Sequence, residues 1–277
     1  MFVAPPRAQI DADVARALAE DLGSGDVTAA LLPDNVQRGH ILAKEAAVVA
    51  GRPWFDACFL ALDPNWTVEW LVGEGQRVAA GTVICRFEGR SRALVSAERC
   101  ALNFLQTLSA TATRTAQFVA ETQGTRTRIL DTRKTLPGLR VAQKYAVRVG
   151  GGSNHRMGLY DTVMLKENHI RAAGSIALAA TTARARFPNL PLVIEVENLD
   201  ELEQALATGC DRILVDDFSE ADLRAAVQRA AGKIALEVSG GVGLDRVRAI
   251  AATGVDCISV GALTKNVQAI DYSMRLD

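Results

Sequence analysis

Cationic side chains are concentrated in one stretch of the chain, from Asp131 to Lys166. This stretch holds seven Arg or Lys residues and one histidine, against the two acids Asp131 and Asp161. The whole chain of 277 residues is nearly neutral, with 31 Lys+Arg, 32 Asp+Glu and a formal net charge of -1. A local basic stretch in a neutral chain predicts a pocket for a small, multiply anionic ligand, because Arg pairs well with carboxylates and phosphates. Nucleic acid or a membrane surface would need a broad basic face.

Residues able to do chemistry also follow nearly every short apolar run in the later part of the chain. The runs lie at 127–131, 162–166, 192–196, 212–216, 234–238 and 256–260. They end, in order, at Asp131 with Arg133 and Lys134 beyond it, at Lys166, at Glu195 and Glu197, at Asp216 and Asp217, at Ser239-Gly240-Gly241, and at Val260-Gly261-Ala262. In parallel α/β folds ligands bind at the carboxyl ends of strands, so the pattern predicts one active site there.

These strand ends fall into three chemical groups. The anion side consists of four cations and a histidine: Arg133, Lys134, His155, Arg156 and Lys166. The neighbouring hydroxyl of Thr132 belongs to the same binding set. Glu195 and Asp216 form an acidic side suited to hydroxyl groups or to a Mg²⁺ ion that keeps most of its waters. The glycine turns at 239–241 and 260–262 precede helices, where free backbone N–H groups favour a phosphate.

Other charged residues of the basic stretch have a simpler interpretation. Arg140, Lys144 and Arg148 recur at helical spacing, which predicts a solvated helix face. His40 and His169 are interpreted as structural or surface residues. His155 is different, because three glycines precede it and would let the backbone approach a ligand closely.

Two regions of the chain differ in pattern. Residues 12–21 predict a helix, and 39–49, 66–72 and 78–87 predict short strands between glycine turns, which indicates an α+β domain on an antiparallel sheet. From Ser96, a predicted N-cap, a long helix begins. The apolar runs then alternate with predicted helices at 139–149, 176–187, 199–207, 220–231 and 244–252. This alternation predicts a parallel sheet, and spacing alone leaves both a closed barrel and an open doubly wound sheet possible.

Composition excludes several classes of protein. Hydrophobic residues make up 49% of the chain and charged residues 23%, as in a globular protein. Cys58, Cys85, Cys100, Cys210 and Cys257 are widely spaced without a C-x-x-C pair, so neither a zinc site nor a disulfide framework is expected. The N-terminal residues do not resemble a signal peptide, and no apolar run has membrane-spanning length. We therefore expect a cytosolic protein.

Several motifs resemble one family over essentially the whole chain. They are Asp-Thr-Arg-Lys-Thr-Leu-Pro-Gly-Leu-Arg at 131–140, Gly-Gly-Gly-Ser-Asn-His-Arg-Met-Gly-Leu at 150–159 and Leu-Lys-Glu-Asn-His-Ile at 165–170, with further matches at 20–28, 98–106, 194–197 and 238–242. Together they are similar to quinolinate phosphoribosyltransferase. That family converts quinolinate and phosphoribosyl pyrophosphate, with Mg²⁺, to nicotinate mononucleotide, pyrophosphate and CO₂, a step of NAD biosynthesis.

The resemblance implies an architecture and an assembly. It implies an N-terminal sandwich-like α+β domain, here 1–108 joined by 267–277, and an incomplete parallel α/β barrel of seven strands, here 109–266. The sequence shows six clear strands, so one is irregular or hidden. The family is a homodimer or larger, and the resemblance makes Arg99 the residue that enters a neighbouring subunit's site. The chemistry of this reaction makes Glu195 and Asp216 candidates for stabilising the positive charge that builds on the ribose, and Lys134 a candidate for electrostatic help, with its role left open.

Three alternatives compete with this interpretation. A relative of the same fold, associated with molybdenum transport, would transfer phosphoribose to another acid and should lack part of the cationic set. Residues 72–84 resemble the hammerhead of lipoyl or biotinyl carriers. That module needs a modifiable lysine, and none occurs between Lys44 and Lys134. A purely structural barrel does not explain the charged strand ends.

Overall fold

A computed structural model of the chain describes residues 2–277. Over this range the helices are α1 (Arg7–Leu22), α2 (Arg52–Leu62), α3 (Ser91–Glu121), α4 (Arg140–Val149), α5 (Glu167–Ala173), α6 (Ile176–Arg186), α7 (Leu199–Leu206), α8 (Glu220–Ala230), α9 (Leu244–Ala251) and α10 (Ala262–Lys265). The strands are β1 (Val36–Ala43), β2 (Ala47–Val48), β3 (Thr67–Trp70), β4 (Arg77–Val78), β5 (Thr82–Arg90), β6 (Arg128–Leu130), β7 (Val163–Leu165), β8 (Leu192–Val196), β9 (Arg212–Asp216), β10 (Ala235–Ser239), β11 (Cys257–Ser259) and β12 (Tyr272–Leu276). Among the described helices, none combines the length and the apolar character needed to cross a membrane.

The chain forms two compact units. The first contains the chain up to Ala116 together with Leu136–Gly151 and Thr264–Asp277, and the second contains Gln117–Thr135 and Gly152–Leu263. The domain limits expected from the sequence, 1–108 with 267–277 and 109–266, stay a prediction about segments that fold on their own.

An antiparallel sheet is the framework of the first unit. Its strand order is β12-β1-β5-β3, and β2 and β4 form a separate two-stranded ladder. Burial alternates along the second half of β1, as expected for a strand with one face on a core. Aromatic rings fill that core: Phe59 stacks on Trp66 with ring centroids 5.0 Å apart, and Trp54 and Phe55 are fully buried. The predicted α+β class of this region is confirmed.

Helix α4 corrects one interpretation of the basic stretch. Lys144 was expected on a solvated helix face, but it is 1% exposed. The helix is buried along most of its length, and its polar Gln143 bonds to protein groups, with Oε1 accepting from the Leu136 N–H at 2.8 Å. Only Arg148 of the three cations is exposed, while Arg140 is half-buried. Helical spacing correctly predicted the helix, but the solvated face was wrong for Lys144, because spacing does not show what packs against a helix.

Helix α3 begins earlier than predicted. It starts at Ser91, directly after β5, so Ser96 lies inside the helix and is not its N-cap. The Ser96 hydroxyl instead donates to Asp26 Oδ2 at 2.8 Å. Serine is recognised as a cap by residue type, and a strand that runs straight into a helix removes the turn where a cap would be needed.

The second unit contains a parallel sheet with the order β6-β11-β10-β9-β8-β7. A single parallel bridge joins Leu130 of β6 to Ser153, supported by the Ser153 N–H donating to the Ile129 carbonyl at 2.8 Å. Ser153 therefore occupies the position of a seventh strand, reduced to one bridge. This explains why the sequence shows six clear strands, and the incomplete parallel α/β barrel is confirmed.

The barrel helices begin where side-chain caps are available. Ser175, Asn198 and Ser219 accept the N–H groups of Leu178, Glu201 and Asp222, so two strand-to-helix connections and the turn between α5 and α6 each end in an N-cap that satisfies one free backbone donor. The predicted strands at 192–196 and 212–216 are confirmed to the residue, and 234–238 is displaced by one position. These strands present their carboxyl ends to the same edge of the barrel.

Candidate active site

A cavity of about 470 Å³ lies in the second unit. Its lining combines loop residues after β6 and Ser153 with residues on β7 to β11: Thr132, Arg133, Lys134, His155, Arg156, Leu159, Met164, Lys166, His169, Glu195, Leu214, Glu237, Ser239 and Ser259. The size suits a small-molecule ligand. Its lining contains both cationic side chains and the apolar Met164 and Leu214, a combination that can hold a flat, anionic ring.

Strand register explains how the floor of this cavity is built. Glu195 of β8 pairs with Leu214 of β9, which in turn pairs with Glu237 of β10. Paired positions on neighbouring strands point their side chains to the same face. The three side chains therefore stand in one layer inside the barrel, and Ser239 follows one step nearer to the carboxyl edge.

Two aspartates hold the loop that carries His155 and Arg156. Asp131, which is fully buried, accepts the His155 N–H at 2.8 Å and the Asn154 side-chain amide at 2.5 Å. Asp161 accepts the backbone N–H groups of Met157 and Gly158 at 2.7 and 3.1 Å. Because both ends of the loop are anchored by charge-assisted hydrogen bonds, Arg156 is presented from a fixed backbone.

The guanidinium groups of Arg133 and Arg156 lie in the same cavity wall. Burial, followed by the nearby charge of Arg133, lowers the pKa of Arg156, and Asp161 partly opposes that shift. Two like charges brought together in a partly dry site favour an anion between them. This is the electrostatic arrangement expected of a carboxylate-binding wall.

Lys166 and Glu195 form an ion pair across the mouths of β7 and β8. Glu195 is mostly buried, with its side chain 12% exposed, while Lys166 remains about half exposed. His169 also lines the cavity, and its Nδ1 accepts the Lys166 N–H at 3.0 Å, so it caps the start of α5. The interpretation of His169 as structural is thus incomplete, because its side chain also forms part of the cavity lining.

The absence of a side chain at Gly261 leaves room for the side chain of Lys134. A β-carbon at Gly261 would lie 3.0 Å from Lys134 Cδ and 3.6 Å from Thr132 Oγ1. A side chain at position 261 would therefore crowd Lys134, which lies along the turn after β11. At the neighbouring turn, Gly240 and Gly241 have φ values of +97° and +51°. A β-carbon at Gly240 would come within 2.8 Å of Asp217 Oδ1, and Asp217 itself has φ +58°.

The structure brings together only part of the predicted set. Thr132, Arg133, Lys134, His155, Arg156, Lys166, Glu195 and Ser239 share the cavity lining. Asp216 is half-buried and pairs in register with Ser239, directly before the glycine turn at 240–241, but it is not among the lining residues of the cavity. Arg99 is exposed on α3 in the first unit. The barrel thus supplies the wall and rim of a site from residues far apart in the sequence.

Glu237 is the site residue that sequence reasoning missed. It is fully buried, and its carboxylate contacts Arg212 Nη1 at 2.8 Å, His155 Nε2 at 3.2 Å and the Ser259 hydroxyl. Burial acts to raise the pKa of Glu237, but His155, Ser259 and Arg212 outweigh it and hold the pKa below its usual value. One signal was present: a glutamate in the middle of the apolar run Ala-Leu-Glu-Val-Ser, where a buried charge requires partners.

The fold and the cavity together define a class of protein. It is a parallel α/β barrel that binds an anionic ligand at the carboxyl ends of its strands, and it also contains an antiparallel α+β unit. Comparison with known proteins makes this specific. Residues 26–109 match the model of the quinolinate phosphoribosyl transferase N-terminal domain, and residues 111–275 match that of its C-terminal domain. The chain belongs to the quinolinate phosphoribosyl transferase family.

Individual relatives agree over the full chain. A Synechocystis sp. protein named probable nicotinate-nucleotide pyrophosphorylase (carboxylating) is 44% identical, covering 100% of this chain and 95% of its own. The nicotinate-nucleotide pyrophosphorylase (carboxylating) of Mycobacterium leprae is 41% identical over 95% of both chains. The solved nicotinate-nucleotide pyrophosphorylase of Francisella tularensis superimposes with a TM-score of 0.97 at 44% identity, covering 100% of this chain and 99% of that one.

Proposed function

We propose that this chain transfers the phosphoribosyl group of phosphoribosyl pyrophosphate to quinolinate, with loss of CO₂, and so forms nicotinate mononucleotide for NAD biosynthesis. The observation that carries the proposal is the convergence of Arg133, Arg156 and Lys166 on one cavity of a chain that matches this family throughout. Quinolinate has two adjacent carboxylates on a flat ring. Paired guanidinium groups beside an apolar patch fit both features.

The acceptor half of the site lies between β6 and β7. Arg133 and Arg156 bind the two carboxylates of quinolinate, and Lys166 adds a third positive charge near the ring. Met164 and Leu214 supply the apolar surface against which the pyridine ring packs. The ring nitrogen then points away from the cationic wall, toward the acidic side.

The donor half lies at the ends of β8 to β11. Glu195 and Asp216 hold ribose hydroxyls, and the turned backbone at Ser239, Gly240 and Gly241 binds phosphate together with the turn at Val260, Gly261 and Ala262. The left-handed φ values of Gly240 and Gly241 support this assignment, because such turns expose successive N–H groups to an anion.

The reaction needs no nucleophilic side chain. The quinolinate ring nitrogen forms a bond to the ribose anomeric carbon, and pyrophosphate leaves with the electrons of the broken C–O bond. The positive charge that develops on the ribose is stabilised by Glu195 and Asp216. The bond to the carboxylate beside the cationic ring nitrogen then breaks, CO₂ leaves, its electron pair stays on the ring carbon, and a proton replaces it.

Lys134 is assigned an electrostatic role. Its side chain lies along Gly261, between the loop after β6 and the turn after β11. An ammonium group there faces the developing charge of pyrophosphate and the carboxylate that remains on the ring. It stabilises charge without being required to transfer a proton.

Mg²⁺ fits this site as a companion of the diphosphate. Within residues 2–277 no three His, Cys, Asp or Glu side chains converge as a metal cage, whereas the oxygen donors Glu195 and Asp216 stand on neighbouring strands. Such a donor set suits a Mg²⁺ that keeps its waters and binds mainly substrate phosphate oxygens. When bound, the ion neutralises the leaving pyrophosphate.

The active unit is proposed to be a homodimer or a larger assembly in the cytosol. The exposed Arg99 on α3 would enter the site of a second copy and add another cation to the quinolinate wall. Five buried cysteines without disulfides support a reducing compartment. Neither nucleic acid nor membrane is a proposed partner.

One incubation tests the assignment. The protein is mixed with Mg²⁺, phosphoribosyl pyrophosphate and either quinolinate or nicotinate. We expect nicotinate mononucleotide and one CO₂ per turnover with quinolinate, and no product with nicotinate. Product from nicotinate, or turnover without CO₂ release, would contradict the proposal.

A further inference from the structure

The backbone before Arg156 is held by the barrel. The Leu130–Ser153 bridge places Ser153 beside β6, and the Asp131 N–H donates to the Ser153 carbonyl at 3.2 Å. The Asp131 side chain then accepts the His155 N–H at 2.8 Å. In a parallel ladder that continued, the main-chain carbonyl of residue 131 would take this donor. The buried carboxylate therefore extends the ladder by one hydrogen bond and fixes the chain up to the residue before Arg156.

The backbone after Arg156 is held by a different carboxylate, that of Asp161. Its Oδ2 accepts the Met157 N–H at 2.7 Å, and its Oδ1 accepts the Gly158 N–H at 3.1 Å. Met157 and Gly158 are the two residues that directly follow Arg156. Both donors are main-chain groups, so neither can turn away from the carboxylate unless the chain itself moves. Asp161 thus fixes the path of the loop on the side that the ladder does not reach.

The tip of the same loop has little support from burial. Leu159 and Tyr160 are 74% and 75% exposed, so the burial of their side chains contributes little to the position of this segment. The guanidinium of Arg156 approaches the Thr162 carbonyl, but at 3.5 Å the contact is too long to hold it firmly. The carboxylate of Asp161 is therefore the main anchor that this segment receives from within the loop.

The charge of Asp161 and its hydrogen bonds have opposite consequences for an anionic ligand. The negative charge acts to raise the pKa of Arg156, against burial and the charge of Arg133, and so it offsets part of the positive field of the cavity wall. A nearby negative charge weakens the attraction of this wall for a carboxylate. Hydrogen bonds that fix Arg156 strengthen binding instead, because a bidentate guanidinium must meet its carboxylate in one geometry.

We propose that Asp161 is a positioning residue of the acceptor pocket, which holds the backbone after Arg156 and so keeps that guanidinium directed into the cavity toward a substrate carboxylate. Arg156 itself lines the cavity. The proposal rests on the proposed function for the identity of the ligand as quinolinate. The hydrogen bonds of Asp161 are a property of the free protein and can be tested without any substrate.

Amide hydrogen exchange of the free protein tests the anchor. The Met157 and Gly158 amides should be protected in the wild-type protein and should exchange at least about tenfold faster in Asp161→Ala. The His155 amide, which Asp131 holds, serves as the internal reference and should change by less than about threefold. Unprotected Met157 and Gly158 amides in the wild-type protein would overturn the proposal even if no variant folds, and so would unchanged exchange in a folded Asp161→Ala protein.

Steady-state kinetics separate positioning from a counter-ion role, because the two predict opposite signs. Asp161→Ala removes the charge and both acceptor oxygens, and it should raise the KM for quinolinate about tenfold, with the KM for phosphoribosyl pyrophosphate changed by less than about twofold. Asp161→Asn keeps one acceptor oxygen and should give a smaller rise, about threefold. A KM for quinolinate that falls or stays unchanged in Asp161→Ala would show that the carboxylate acts as a counter-ion and would refute positioning.

Asp211→Ala is the matched control. Asp211 also accepts a main-chain N–H, that of Leu192 at 2.6 Å, and also pairs with an arginine, Arg184 at 2.8 Å. It directly precedes β9 and therefore lies at the amino edge of the parallel sheet, away from the cavity. Its removal should lower stability while changing either KM by less than about twofold. A rise in the quinolinate KM equal to that of Asp161→Ala would contradict a local role for Asp161.

A double variant tests whether Asp161 acts through Arg156. Arg156→Lys retains the charge but loses the bidentate fork, so in that background Asp161→Ala should raise the quinolinate KM by less than about twofold more. Multiplied effects would show that Asp161 acts elsewhere, and equal rises in both KM values would show a general loss of structure. If the wild-type protein does not convert quinolinate, the proposed function fails, while hydrogen exchange still decides whether Asp161 anchors this segment.

Discussion

The two compact units bury carboxylates in opposite electrostatic surroundings. In the first unit, burial raises the pKa of Asp56 to about 6, although Trp70 Nε1 donates to it at 3.0 Å, and burial also raises the pKa of Glu74. In the second unit Glu237 is buried even more deeply, yet its pKa is held below the usual value. The difference lies in the neighbours: Asp56 accepts one neutral indole N–H, and the charge of Glu74 opposes that of Arg52, whereas Ser259, His155 and Arg212 contact Glu237.

This difference separates carboxylates with a structural role from a carboxylate that belongs to the candidate active site. Glu74 accepts the N–H of Gly51 at 2.7 Å at the start of α2, so it organises local backbone. Asp56 similarly fixes the Trp70 indole in the aromatic core. Glu237 instead shares the lining of the cavity with the cations. We therefore expect acid substitutions in the first unit to change stability, and charge substitutions in the second unit to change kinetics.

The largest expected effect breaks the cationic wall. Arg133→Ala should weaken quinolinate binding by about 3–4 kcal/mol, two to three powers of ten, because it removes a desolvated partner of a carboxylate. Calorimetry with quinolinate measures this, and circular dichroism should report an unchanged fold. Arg248→Ala, which removes an exposed guanidinium paired with Glu121 at 2.9 Å, is the control. Unchanged affinity in Arg133→Ala would refute the assignment of this wall.

The second effect concerns the buried acid of the first unit. Asp56→Asn should stabilise this unit by about 1–2 kcal/mol near neutral pH, because it removes a charge that burial disfavours while leaving an oxygen for Trp70. The folded-state pKa of about 6 exceeds the ordinary 3.8, so the wild-type contribution is present below 3.8 and is lost as pH rises through 6. The benefit of Asn should therefore appear across this window and vanish near pH 4.

Fluorescence makes that measurement selective. All three tryptophans, Trp54, Trp66 and Trp70, lie in the first unit, so urea titrations followed by tryptophan emission report its unfolding. Glu69→Gln, on the exposed side of β3, is the matched control. A gain from Asp56→Asn that is independent of pH would show that packing, and not charge burial, is responsible.

A smaller effect is expected where glycine makes room for Lys134. Gly261→Ala places a β-carbon about 3.0 Å from Lys134 Cδ, and the flexible lysine yields by a few tenths of an ångström. We expect kcat to fall about threefold to tenfold, roughly 1 kcal/mol, with unchanged stability. Stopped assays of pyrophosphate release measure it. An unaffected kcat would contradict the proposed role of Lys134 in catalysis.

The smallest effect tests the surface of the first unit. Arg7 and Asp11 form an exposed pair at 2.7 Å, one turn apart on α1. Arg7→Ala should change the free energy of unfolding by less than about 0.5 kcal/mol, because solvent screens the pair. The fluorescence assay used for Asp56 measures this free energy. A loss of stability as large as that expected for a buried charge would show that solvent exposure does not predict the contribution of an ion pair in this unit.

Much of the barrel could be predicted from sequence because its strands are continuous apolar runs with chemistry at their ends. The runs 192–196 and 212–216 coincide with β8 and β9. The seventh strand position could not be predicted, since Ser153 makes one bridge and no pattern marks it. Ser96 was mistaken for an N-cap for a related reason: residue type identifies a cap, but only the path of β5 shows where α3 begins.

The candidate site was predictable as a set of residues but not as a set of partners. Local charge and glycine turns located Arg133, Arg156, Lys166 and Glu195, and all four line one cavity. Glu237 was passed over because strand patterning assigns a mid-strand position to the core without asking which charge meets it. Lys144 was misplaced for the converse reason, since helical spacing does not say what covers the helix.

The sequence by itself determined the family, the alternation of strands and helices, and the cationic character of the site, because these depend on residue type and short-range spacing. Tertiary structure alone decided the register that sets Glu195, Leu214 and Glu237 in one layer, and the approach of Arg212 and His155 to the buried carboxylate of Glu237. The physical reason is that the pKa of a buried carboxylate such as Glu237 depends on groups within a few ångströms, and residues as distant in sequence as 155 and 237 meet only when the barrel forms.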